Sequence, residues 1–107
     1  MRRAIHHNDY ITIRGNTDGC YSSVGRRGGA QVLNLTPNNP ETGCFRKYTI
    51  IHEFLHALGF YHMQSASERD DFVEIVWANI QPGTENNFSK HEATRVTNFG
   101  VLYDYGS

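Results

Sequence analysis

Eleven residues constrain this chain more than the other ninety-six: His52-Glu53-Phe54-Leu55-His56-Ala57-Leu58-Gly59-Phe60-Tyr61-His62. Histidines at i and i+4 stand one above the other on an α-helix, so their ring nitrogens can converge on one ion at the zinc–nitrogen distance of about 2.0 to 2.1 Å. A glycine three residues after the second histidine lets the chain reverse, which brings His62 to the same ion from outside the helix. Three neutral imidazoles leave one coordination position open for water, the mark of a catalytic rather than a structural zinc site. Glu53 follows the first ligand directly, where a general base reaches that water without ligating the metal. Zinc lowers the pKa of its water from about 15.7 towards about 7, and Glu53 would take the proton and later deliver it to the leaving amine.

The five-residue His-Glu-x-x-His pattern alone arises by accident, and paired histidines on a helix are often surface or core residues. The full pattern with Gly59 and His62 is far more specific. An assignment with Glu74 as third ligand in place of His62 lacks the glycine turn. His6 and His7 are read as a mobile terminus and His91 as part of an exposed helical face, none with a role. Tyr48, Tyr61 and Trp77 are read as packing residues.

The flanking sequence predicts an α+β chain. Tyr10–Arg14 and Val32–Thr36 alternate apolar and polar residues as strands do, and Cys20–Val24 is a third, shorter candidate. Gly15–Gly19 is turn chemistry, Gly25–Gly29 a flexible loop with two solvated arginines, and Thr36–Gly43 a loop broken by prolines and asparagines. From Arg46 to Leu58 the period becomes helical: Ile50, Ile51, Phe54, Leu55, Ala57 and Leu58 fill one broad sector, with His52, Glu53 and His56 opposite. So much apolar surface predicts a buried helix, closed by Gly59. Beyond it, Val73, Ile75 and Trp77 alternate as a short extended segment, and Thr84–Val96 reads as a polar surface helix.

The 107 residues suit one compact domain or part of one. Ten Lys+Arg against eleven Asp+Glu give a net charge of −1, so no basic field exists to hold nucleic acid. No apolar run approaches the roughly 20 residues that cross a bilayer. The basic start, Met1-Arg2-Arg3, has no apolar stretch behind it and is not a complete secretory signal. Cys20 and Cys44 fit a single disulfide better than a metal site, since neither belongs to a Cys-x-x-Cys pair, with two free buried thiols as the alternative. Such a bridge would contribute on the order of 3 kcal/mol. Asn34-Leu35-Thr36 and Asn87-Phe88-Ser89 are N-glycosylation triplets.

The stretch His52–His62, followed by Gln64-Ser65, Arg69-Asp70 and Val73–Ile80, resembles the astacin family of metzincin proteases, as do Gly19–Arg26 and Asp104–Ser107. The resemblance implies a secreted zinc metalloendopeptidase that cleaves protein or peptide substrates. It implies one Zn2+ held by His52, His56 and His62, Glu53 as base, and a Cys20–Cys44 disulfide. The family fold is a two-lobed α+β domain with a twisted sheet and long helices above the cleft. Residues 1–107 resemble an incomplete catalytic domain: the second half of the upper lobe and the start of the lower one. An edge strand within Tyr21–Gly25 would bind an extended peptide by strand addition. The family's first strand and helix are expected before this sequence, and its Met-turn methionine and tyrosine after Ser107. Met63 stands where the family usually has Glu, and Ala66 and Glu68 replace its usual Arg and Asp. These departures support an alternative: a catalytically silent zinc-binding fragment or binding module derived from such a protease.

Overall fold

Alternating β-branched residues in Tyr10–Arg14 form strand β1, Cys20–Ser22 forms β2 and Ala30–Leu35 forms β3 in the computed structural model, which describes residues 7–106. β3 lies in the middle, parallel to β1 and antiparallel to β2. Arg14 is registered with Asn34, and Cys20 with Leu35. β3 begins two residues earlier than the alternation predicts, because Ala30 and Gln31 pair with Tyr10 and Ile11. The chain reaches that register through a loop tied to Asp9. The Asp9 carboxylate accepts the Gly29 N–H at 2.7 Å and the Arg26 Nε–H at 2.8 Å. These two donors, the Gly29 amide first, hold the Asp9 carboxyl below its ordinary pKa.

Central position explains why three successive residues of β3, Leu33, Asn34 and Leu35, are all buried. Leu33 and Leu35 point to one face and, with Cys44, make the core, against which Ile11, Cys20, Phe45, Ile50 and Phe54 pack. Asn34 points to the other face and holds the Gly15–Gly19 turn. Its Oδ1 accepts the Asn16 N–H at 3.0 Å, and its Nδ2 donates to the carbonyls of Asn16 and Gly19 at 3.0 and 2.8 Å. A disulfide joins Cys20 to Cys44 and so fastens β2 to the turn that precedes the helix.

Helix α1, Lys47–Ala57, packs on β2 and β3. The buried-helix expectation is corrected here. Ile50 and Phe54 reach the core, yet Tyr48 is 84% exposed, Ile51 47%, Leu55 39% and Leu58 67%, whereas Glu53 and His56 are buried at 5% and 8%. A helix lying on one sheet covers a stripe about 100° wide. The apolar sector is wider than that, so its outer half lies beyond the stripe that the sheet covers. Tyr48 is therefore not a packing residue among the described residues.

The chain divides into two compact units, Met1–Phe60 and Tyr61–Ser107. The second contains no strand or α-helix among its described residues, only short 3-10 turns at Met63–Ser65, Arg69–Asp71, Trp77–Asn79 and Glu85–Phe88. Val73 and Ile75 lie in no strand among the described residues, and Trp77 opens a 3-10 turn. One expectation is corrected: Thr84–Val96 is a helix only over Glu85–Phe88. Its polar residues offer no apolar stripe to bury, and without tertiary packing a short helix does not hold.

What organises this unit is a buried arginine. Arg69, 4% exposed, donates to the carbonyls of Gln64, at 2.7 Å, and Phe88, and its Nε–H donates to Asp70 at 3.1 Å. Its guanidinium carbon lies 5.7 Å from the Trp77 ring centre, which gives that half-exposed indole a cation partner rather than a core. Lys90 closes on the other Asp70 oxygen at 2.6 Å. The hydrogen bond from Lys90, then that from Arg69, lowers the Asp70 pKa from 3.8. A carboxylate with a depressed folded-state pKa adds stability above its unfolded value and loses it as pH falls through the folded one. Replacing Asp70 with Asn is thus expected to lower the urea midpoint of the full-length protein near neutral pH, and the difference from the parent is expected to vanish as pH drops below 3.8.

Candidate metal centre

The last turn of α1 and the bend behind it form a local device. Leu58 is the last residue in helical conformation, and Gly59 takes φ +107°, a value side chains rarely adopt. The Gly59 N–H donates to the His56 carbonyl at 2.8 Å and the Phe60 N–H to the Leu55 carbonyl at 3.0 Å. These are the two paired bonds of a Schellman turn, with glycine in its characteristic place. The turn brings the Phe60 carbonyl oxygen to 2.7 Å from His56 Nδ1. A carbonyl only accepts, so Nδ1 carries a proton, which leaves Nε2 as the nitrogen able to ligate. Fixing a ring's tautomer through its far nitrogen is what the outer partners of a metal-bound histidine do. The sequence contains the signal for this contact in Gly59, although the carbonyl itself is invisible there.

A second anchor holds the same turn. The Gly25 N–H, just past β2, donates to the His56 carbonyl at 2.8 Å, so the ligand-bearing end of α1 is fixed to the sheet side of its own unit. His52 and His56 stack edge to face, ring centres 4.5 Å apart and planes at 85°. One ring nitrogen from each of His52, His56 and His62 lies within 4.8 Å of the other two. Nitrogens sharing one tetrahedral ion at about 2.05 Å stand roughly 3.3 Å apart, inside that limit. Glu74 is exposed and does not belong to this group.

Glu53 supplies an independent observation. It is buried, and its Oε2 has no hydrogen-bond partner among the described residues. A buried carboxylate oxygen left without a donor is costly, and its presence calls for a partner that binds there. The donor chemistry fits as well: three imidazoles with no thiolate and no carboxylate in the group suit a borderline ion such as zinc.

The other histidines separate cleanly. His6 lies outside the described residues, and His7 is exposed. His91 is corrected. It sits on no helix, is partly buried, donates its backbone N–H to Ser65 at 2.9 Å, and lays its ring 4.0 Å from that of Tyr61. Tyr61 is thus a packing residue on one face only, being 49% exposed. Met63 opens the turn after His62 and accepts the Tyr103 hydroxyl at 3.2 Å through its carbonyl, a contact that its side chain does not decide. The partly buried Glu68 accepts the Ser67 hydroxyl at 2.9 Å.

Comparison with known proteins decides the lineage. The sequence model of the astacin peptidase family matches residues 2–107. This chain belongs to the astacin family. Among its relatives, the zinc metalloproteinase nas-13 of Caenorhabditis elegans is 46% identical to the astacin chain over 99 residues, covering 92% of it and 21% of the relative. Mouse meprin A subunit beta is 49% identical over 100 residues, covering 92% and 13%. A solved structure, high choriolytic enzyme 1, a hatching enzyme zinc-protease from the medaka Oryzias latipes, superposes with a TM-score of 0.85 at 42% identity, over 99% of the astacin chain and 49% of the other. The α+β metzincin architecture expected from the sequence is therefore shown. The astacin chain spans about a fifth of nas-13 and about half of the hatching-enzyme chain. None of its described helices is long and apolar enough to cross a membrane.

Proposed function

We propose that the full-length protein is a zinc-dependent endopeptidase in which His52, His56 and His62 hold a single zinc ion and Glu53 is the general base. The observation that carries this reading is the gathering of three imidazole nitrogens within 4.8 Å of one another, with Glu53, next in sequence to His52, burying an oxygen that has no hydrogen-bond partner among the described residues. The relatives support it, two of them being called zinc metalloproteinase and zinc-protease. Zinc, when bound, polarises the scissile carbonyl and acidifies a water. Everything else falls to the chain. His56 is held in the tautomer that offers Nε2 by the Phe60 carbonyl, and the Gly25 and Gly59 amides keep its backbone in place. Glu53 accepts a proton from the attacking water and returns it to the departing amide nitrogen, so one carboxylate serves as base and then acid. β2 has one partner, β3, among the described residues, and its free edge suits an extended peptide added as a further strand. The single disulfide fits an extracellular protein.

Of the features behind the alternative of a silent zinc-binding fragment, the residues Met63, Ala66 and Glu68 do not belong to the gathered metal-ligand group. Stripping metal from the full-length protein with a chelator is expected to abolish cleavage of an unstructured protein substrate, and adding back zinc to restore it. Metal-free protein that retains full activity would exclude the peptidase reading, and zinc-bound protein without activity would favour the silent alternative.

A further inference from the structure

We propose that Asn87 is an N-glycosylation site and that Asn34, the other asparagine in an Asn-x-Ser/Thr triplet, is not. The two triplets are equivalent as sequence, and the fold separates them. Asn34 is 0% exposed, and its Nδ2, the atom that would carry a sugar, donates to the carbonyls of Asn16 and Gly19. The Thr36 hydroxyl, the third member of that triplet, is also engaged: it receives the Gly19 N–H at 2.9 Å and donates to the Asn16 carbonyl at 2.8 Å. A glycan on Asn34 would break the clasp between β3 and the turn before β2, and there is no open space for it to occupy.

Asn87 differs at every point. It is exposed, as is Ser89. It lies next to last in the four-residue turn Glu85–Phe88, and the backbone becomes extended at Ser89, with φ −68° and ψ 132°. The triplet thus straddles a turn end, the open and deformable surface backbone such a modification needs. Its main chain is fixed from the inner side: the Asn87 carbonyl accepts the Ser65 hydroxyl at 3.3 Å and the Phe88 carbonyl accepts the Arg69 guanidinium. A bulky polar group on Asn87 Nδ2 leaves those bonds in place.

In the reaction, Asn87 Nδ2 loses a proton to a base of the transferase and forms a C–N bond to the anomeric carbon of an oligosaccharide carried on a lipid diphosphate. The anomeric C–O bond breaks, and its electron pair leaves on the diphosphate. The compartment that supplies this donor is also oxidising, in keeping with the Cys20–Cys44 bridge.

The test uses the full-length protein made in a eukaryotic secretory host behind an added leader, so the outcome does not depend on its own export. Peptides are mapped before and after digestion with peptide N-glycosidase, which converts a glycosylated asparagine to aspartate. The expected result is conversion at Asn87 and none at Asn34, with Asn87→Gln and Ser89→Ala each losing the mass of one glycan. Unmodified Asn87 in the secreted protein, or sugar on Asn34, would overturn the proposal. Bound zinc and cleavage rate are expected to be unchanged in Asn87→Gln, so failure here and failure of the peptidase reading are told apart by separate readouts.

Discussion

Replacing Glu53 with Gln in the full-length protein is expected to lower kcat for an unstructured protein substrate by about 10²- to 10⁴-fold while leaving bound zinc unchanged. Gln keeps the size of the side chain, so the buried site and its packing survive, and what disappears is the ability to take a proton. Glu53 is buried and one of its oxygens has no hydrogen-bond partner among the described residues. An amide there restores no function. The split between metal content and turnover is the informative part, because a purely structural Glu53 would change stability or zinc affinity and leave the rate per folded, metal-bound molecule alone. Equal rates in the two proteins would remove the general base from the account.

The second large effect is expected at His56. Its replacement by Ala deletes a buried imidazole whose far nitrogen is already held by the Phe60 carbonyl. Loss of an outer partner alone commonly weakens metal binding by about 10- to 100-fold. Loss of the ligand itself is expected to exceed that range, read as zinc affinity by competition with a chromogenic chelator. In the parent protein the same assay should show affinity falling as the solution is acidified, since each imidazole must be neutral to ligate. Affinity unchanged between the His56→Ala variant and its parent would mean that the ion sits elsewhere.

The site was legible because its spacing is itself geometry. An i, i+4 pair, a glycine three residues on and a histidine three beyond that encode a helix, a reversal and a return, and the Schellman turn at Gly59 is the physical form of that code. β1 and α1 were legible for the same reason, each having a clear period. The parallel pairing of β1 with β3 was not, because register depends on partners distant in sequence and on the Asp9 clasp over the Gly25–Gly29 loop. Burial along α1 misled most. Composition counts how much apolar surface a helix has, whereas burial depends on which neighbours exist, and here Ile51, Leu55 and Leu58 face outward while Glu53 and His56 are covered. The second unit resisted reading because a buried arginine and main-chain carbonyls organise it, and neither leaves a periodic trace. Asn34 shows the converse: a polar residue within a strand, serving as a clasp for the preceding turn.

X-ray absorption at the zinc edge of the full-length protein tests the central claim most directly. The account predicts one zinc per chain with imidazole nitrogens as its protein ligands, three of them at about 2.0 to 2.1 Å, and loss of one imidazole from the first shell when His62 is replaced by Ala. Zinc absent from the folded protein, or a first shell of sulfur or of fewer than three imidazoles, would contradict it.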